Sequence, residues 1–237
     1  MSKKGQLSLF IVVAIILVVI IVAFFIINKK NTDNIPAQIV PVYNSLKTCI
    51  SNEAIKGINE ISLNGGYYKS SPYILNDTVI YFNEGKNTMP SKQDIENQLN
   101  LYLKDNFMSC NNSLSELKDY KVNVKVFNPD VKISPDVVYV DGNATILVTK
   151  GENTYTINKI EGIKINSPLS VVYDSAKSII EEELADRNST CMSCIYDIGL
   201  KNNITIGLIT KERLHIFFIE PNSNQSGEYV FKFGGIK

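Results

Sequence analysis

The stretch VVYVDGNATILVTKGENTYTINKI, residues 137–160, decides the fold class. Residues 137–140, 144–150 and 154–160 are rich in Val, Ile, Thr and Tyr. Asp141-Gly142 and Gly151-Glu152-Asn153 separate them as turn signals, which predicts an antiparallel meander. Just upstream, Val122, Val124 and Val126 alternate with Asn123 and Lys125, the period-two pattern of a half-buried strand. Downstream, residues 204–209, 214–219 and 229–233 give three more strands, and in the last of them Tyr229, Phe231 and Phe233 share a face.

Helical spacing flanks these strands. Val42, Leu46, Cys49, Ile50, Ile58 and Ile61 predict a helix from Pro41 that stops at Gly65-Gly66. Ser91 and Asp94 fit a capping box ahead of Ile95, Leu99, Tyr102, Leu103 and Cys110. Ser167 and Pro168 open a third helix, with Val172, Ala176, Ile179, Ile180 and Leu184 on one face. Its Glu181-Glu182-Glu183 run reads as a solvated face. Helices packed on an antiparallel sheet make an α+β domain over residues 41–237, with a division near residue 115 as the alternative layout.

Ahead of this domain, residues 7–27 carry no charge over 21 positions, a helix of about 31 Å against a hydrocarbon core of ~30 Å. Residues 1–27 therefore read as a signal-like segment and N-terminal transmembrane helix, followed by a polar linker at 28–40. Lys3 and Lys4 precede the span and Lys29 and Lys30 follow it, so flanking charge favours a cytoplasmic amino terminus only slightly. An even number of cysteines, four, fits pairing in an oxidising space. Glycosylation sequons begin at Asn76, Asn111, Asn143, Asn188, Asn203 and Asn224, which also suits an exported domain.

The 24 Lys and Arg balance 24 Asp and Glu. Residues 1–34 hold four Lys and one Asp, which leaves −3 on the remainder and excludes a basic nucleic-acid-binding surface. There is no GxSxG, P-loop, GxGxxG or HExxH. His215, the only histidine, sits in an apolar strand with no companion nucleophile and reads as structural. Four cysteines allow three pairings, of which Cys49–Cys110 with Cys191–Cys194 is the expected one. Cys191-Met192-Ser193-Cys194 is a CxxC that follows the end of a helix, and no helical pattern is evident after it. That placement argues against thioredoxin-like use, which needs the motif at a helix amino terminus. One close pair and two scattered thiols likewise make a poor zinc site, so neither metal nor cofactor is expected. Tyr67, Tyr68 and Tyr73 read either as packing residues or as an adhesive, carbohydrate-contacting patch.

The run from Lys3 through Gly5 and Gln6 to Phe10, leading straight into the apolar span, resembles the class III signal peptide of archaeal type IV pilins and their relatives. The resemblance implies cleavage between Gly5 and Gln6 on the cytoplasmic side, with the span retained. Two departures stand against a filament role. Phe10 occupies the place where filament subunits carry a Glu, and residues 28–36 interrupt the helix that in pilins continues into the head. More broadly, Cys49, Gly65-Gly66-Tyr67, Met89-Pro90-Ser91 and Cys110 with the closing sheet resemble membrane-anchored surface proteins of small-genome archaea, a group that implies no activity.

The expected function is therefore a non-catalytic protein of the cell membrane, single-pass through residues 7–27, with its C-terminal domain extracellular. It would bind a protein or carbohydrate partner or build part of the envelope. A minor pilin-like subunit, or a thiol oxidoreductase using the CxxC, are the alternatives.

Overall fold

The computed structural model describes residues 16–18, 35–69, 71–110, 114, 116–186, 189–222 and 229–237. Residues 16–18 are helical, and the rest of the expected span, with Gly5 and Gln6, lies outside the described residues. Among the described residues no helix is long and apolar enough to cross a membrane. Residues 35–237 form one compact α+β unit.

A 3-10 turn at Ala37–Ile39 leads into helix α1, Val40–Leu63. Every apolar position expected of it, from Val42 to Ile61, is buried. The helix stops where Gly65 and Gly66 take positive φ, and the Gly66 amide donates to the Ile61 carbonyl. Helix α2, Lys92–Asn106, opens with the expected capping box: Ser91 Oγ accepts the Asp94 amide and Asp94 returns a carboxylate oxygen to the Ser91 amide. These bonds hold the Asp94 carboxyl below its ordinary range. Where α1 crosses α2, Gly57 provides the space: a Cβ there would lie 2.5 Å from the Tyr102 ring. Cys49 and Cys110 are bonded, with Cα atoms 5.7 Å apart, and join the middle of α1 to the residue that closes the 3-10 turn Phe107–Ser109 after α2.

Strands β4 (Lys121–Ile133), β5 (Val137–Lys150) and β6 (Asn153–Asn166) form the meander, but with longer strands than the sequence suggests. Gly151-Glu152 is the turn expected between β5 and β6, whereas Asp141-Gly142 is no turn. The β5 strand runs straight through it, with register shifts against β6 on either side. Gly142 is needed for close approach, since a Cβ would meet the Asn128 carbonyl at 2.7 Å, and Asp141 Oδ1 accepts the Gly162 amide at 2.6 Å.

The second sheet holds β1 (Ile74–Leu75), β2 (Thr78–Asn83), β3 (Lys86–Asn87), β7 (Ile204–Lys211), β8 (Leu214–Pro221) and β9 (Phe231–Ile236). Its order is β1-β2-β9-β8-β7 with β3 on β2. The β7 and β8 strands are those expected, and the third begins two residues later than its aromatic pattern. Tyr229, Phe231 and Phe233 are all buried, and Phe233 stacks between Tyr81 and Phe217 at 4.8 and 5.0 Å. The β2–β9 pair is parallel, joining segments about 150 residues apart.

Helix α3, Leu169–Ala185, starts one residue after Pro168, and Ser167 Oγ accepts the Leu169 amide. Helix α4, Met192–Asn202, was not expected. Its apolar residues lie on two faces: Ile195 and Gly199 turn inward, while Met192, Tyr196 and Leu200 stay exposed, which blurs a single-stripe reading. One buried cluster unites both sheets and all four helices.

The Cys49–Cys110 bond closes a separation of 61 residues, worth about 4 kcal/mol in the chain-entropy model. Replacing both cysteines with alanine should lower the melting temperature by roughly 10 °C, read by circular dichroism.

Candidate functional site

Three features that are separate in sequence, the glutamate run, the CxxC and His215, meet where α3 passes into α4. The Glu181 and Glu182 side chains are solvated as expected, but Glu183 is buried. The helical period turns it inward beside Ile179 and Ile180, and the cation that makes burial tolerable comes from far along the chain. Lys237 Nζ stands 2.8 Å from Glu183 Oε2 and also donates to the Asp186 and Ser189 carbonyls. Glu183 Oε1 has no partner among the described residues.

Thr190 Oγ1 links this pair to the histidine, lying 3.4 Å from Glu183 Oε2 and 3.2 Å from His215 Nδ1. A hydroxyl has one proton, so when Thr190 donates to the carboxylate it accepts from Nδ1–H, which assigns the imidazole tautomer. Burial holds His215 below its ordinary pKa, and Lys237 adds to that while Glu183 opposes it. The order of groups is wrong for activating a nucleophile. Imidazole and carboxylate both touch the hydroxyl, whereas a base needs the imidazole between acid and hydroxyl.

The next residue begins the CxxC. Cys191 is the N-cap of α4, and its Sγ accepts the Cys194 amide at 3.2 Å. Cys191 and Cys194 are bonded to each other and half-buried. The expectation that no helix follows the motif is thus corrected. All four cysteines are in disulfides, so none is a thiolate ligand, and among the described residues no three His, Cys, Asp or Glu side chains gather as a metal site.

A cleft of about 300 Å³ adjoins Glu183, with Phe82, Leu184 and Ile236 as apolar walls. Its charges are paired, Glu183 with Lys237 and Glu84 with Arg213 at 3.5 Å, so it offers little net field to an ionic substrate. No sequence signal marks this cleft, because its walls come from β2, β9, α3 and the β7–β8 turn.

The other expected sites are dispersed. Asn76 is exposed in the two-residue β1–β2 turn, where Asn76 and Asp77 both take positive φ. Asn143 faces outward from the middle of β5, and Asn203 is the exposed left-handed C-cap of α4. Asn111, Asn188 and Asn224 lie outside the described residues. Tyr67 and Tyr68 are half-buried against the core, with Tyr68 edge-on to Tyr102 at 5.1 Å, while Tyr73 is exposed.

No family model matches the chain, and neither a curated protein nor a solved structure matches it significantly.

Two outcomes follow for the Glu183 cluster. Glu183→Gln keeps the shape and strands Lys237 without its counter-charge, which should cost about 1–3 kcal/mol in denaturant unfolding. For His215 the folded state binds a proton less readily than the unfolded chain. Its contribution to stability is present above the unfolded value of about 6.5 and is lost as pH falls through the lower folded value. His215→Gln should therefore flatten the decline in stability between about pH 7 and pH 5.

Proposed function

We propose that this chain is a membrane-anchored cell-surface protein whose domain acts by binding rather than by catalysis. One observation carries the reading: all four cysteines are spent in two disulfides, a state that persists outside the reducing cytoplasm. The uncharged residues 7–27 supply the anchor, and the class III-like start at Gly5 and Gln6 supplies the address. The cluster of Glu183, Thr190 and His215 supports a structural rather than a catalytic role, for the geometric reason given above. The partner is a protein or carbohydrate of the surface or envelope. A filament-subunit role draws no support from Pro36, whose extended conformation precludes an uninterrupted helix running into α1. Protease added to intact cells should digest residues 35–237 and spare a fragment holding the span. A domain that stays intact, with free thiols, would overturn the reading.

The N-cap position of Cys191 favours a second reading, thiol–disulfide exchange. On reduction, the Cys191 thiolate would keep the Cys194 amide and face the positive end of α4, both of which lower a thiol pKa. One thiolate of a partner dithiol would attack a sulfur of the disulfide and expel the other as thiolate. The partner's second thiolate would then release the mixed bond, so that the partner is oxidised as Cys191 and Cys194 are reduced. Equilibration with a glutathione redox buffer tests this. A pair that opens near the potential of known oxidants supports exchange, and one that stays closed below about −300 mV excludes it.

A further inference from the structure

The two sheets treat their edges differently. On β4, α2 takes up two outward amides near the strand's end: Glu96 Oε1 accepts from Ile133 at 2.8 Å and Asn100 Oδ1 from Val131 at 2.9 Å. On β6, the Tyr43 hydroxyl accepts the Glu161 amide. At one end of the larger sheet, β1 is only two residues long. At the other end β7 runs for eight residues, ITIGLITK, and among the described residues its outer side pairs with nothing. It contains no Pro, and its single charge is Lys211 at the very end, so the usual safeguards of a free edge are missing.

A second exposed feature lies against the first. Met192, Tyr196 and Leu200 fall on one side of α4 at i, i+4, i+8, exposed by 59%, 66% and 64%. Together with Ile204, Thr205 and Ile206 they line a groove of about 360 Å³ beside β7.

We propose that β7 is the interface between two copies of this chain. In that arrangement the two β7 strands pair antiparallel about a dyad perpendicular to the sheet. Such a dyad keeps the faces of both sheets on the same side, so residues of like parity oppose each other. Centring it on Gly207 sets Ile206 against Leu208 and Thr205 against Ile209, with Ile204 against Thr210. The charged Lys211 then falls opposite the polar Asn203 of the other copy. The two Lys211 side chains stand about 27 Å apart, beyond a Debye length of ~8 Å, so no like charges meet. The same dyad brings the two α4 helices together on one face and covers both apolar stripes. A single operation thus satisfies the unpaired backbone and the exposed side chains. Covering the stripe, Ile209 and the strand edge would bury roughly 500 Å² per copy, less than the ~800 Å² of a standard interface, which points to a reversible dimer. The association follows from the domain's own surface and holds whichever side of the membrane the domain occupies.

The test uses the full-length chain in non-ionic detergent, followed by sedimentation over about 1–100 µM. A monomer–dimer equilibrium is expected. Ile209→Lys, and separately the double change Tyr196→Glu with Leu200→Glu, should each shift its midpoint at least tenfold toward monomer. These side chains are exposed, so the fold should tolerate the changes, and unchanged circular dichroism melts would verify that. Since all native cysteines are paired, Gly207→Cys introduces the only free thiol. It should give a disulfide-linked dimer on mild oxidation, whereas Lys86→Cys, at the other end of the sheet, should not. A chain that stays monomeric throughout overturns the proposal. So does a dimer indifferent to both surface variants, or one that Gly207→Cys fails to trap.

Discussion

The fold depends on α1 being buried along much of its length by elements on opposite sides. It contacts β6 of the smaller sheet, β9 of the larger one, and α2. A helix so placed cannot show a single narrow stripe. Val42, Leu46, Cys49, Ala54, Gly57, Ile58 and Ile61 are all buried, and Ser62, also buried, donates to the Ile58 carbonyl while lying 2.9 Å from the Tyr229 hydroxyl. The Cys49–Cys110 bond fixes this helix to α2, and Gly57 lets the two approach until Tyr102 lies on its backbone. Each sheet has an α1 face to pack on, so loss of α1 would leave two layers without a common core.

Polar side chains work within this frame mostly as substitutes for missing backbone partners. Asn100 and Glu96 accept the Val131 and Ile133 amides on the edge of β4, Thr88 Oγ1 donates to the Ile80 carbonyl, and Tyr81 donates to the Gly65 carbonyl. Burial raises the Tyr81 hydroxyl well above its ordinary pKa, as it does that of Tyr229, so both remain neutral. Glu183 differs from these. It is a charge with one oxygen satisfied by a cation and the other by nothing among the described residues. That imbalance makes the α3–α4 junction chemically distinctive even though it lacks the order of groups that catalysis requires.

How much of this was legible in the sequence varies with the range of the forces involved. Capping at Ser91 and Asp94, the glycine stop after α1 and the aromatic face of Tyr229, Phe231 and Phe233 are local, and each reads directly. Of the three possible cysteine pairings, the expected one is present, and its only local signal is the proximity of Cys191 to Cys194, which leaves Cys49 for Cys110. The Asp141-Gly142 pair misleads because the same two residues serve a hairpin turn and a bulge, and only the partners Asn128 and Gly162 decide between them. Strands β1 to β3 were missed although Asn76-Asp77 and Glu84-Gly85 mark tight turns, since β1 and β3 have two residues each and β2, buried at five successive positions, shows no alternation. Helix α4 was hidden by apolar residues on two faces, and the burial of Glu183 depends on Lys237, which no window of sequence brings near it. The expected membrane span, apart from residues 16–18, and the expected processing site at Gly5-Gln6 lie outside the described residues.

The position of β9 bears on how the molecule is made. It lies between β2 and β8, in the interior of its sheet, yet it follows both of them in the chain. Until residues 231–236 leave the ribosome, β2 and β8 have no neighbour to bridge them and the ring stack of Tyr81, Phe233 and Phe217 is absent. Closing a loop of about 150 residues is entropically slow, so the larger sheet is completed well after β2 has been made. The late strand thus acts as a built-in delay on folding.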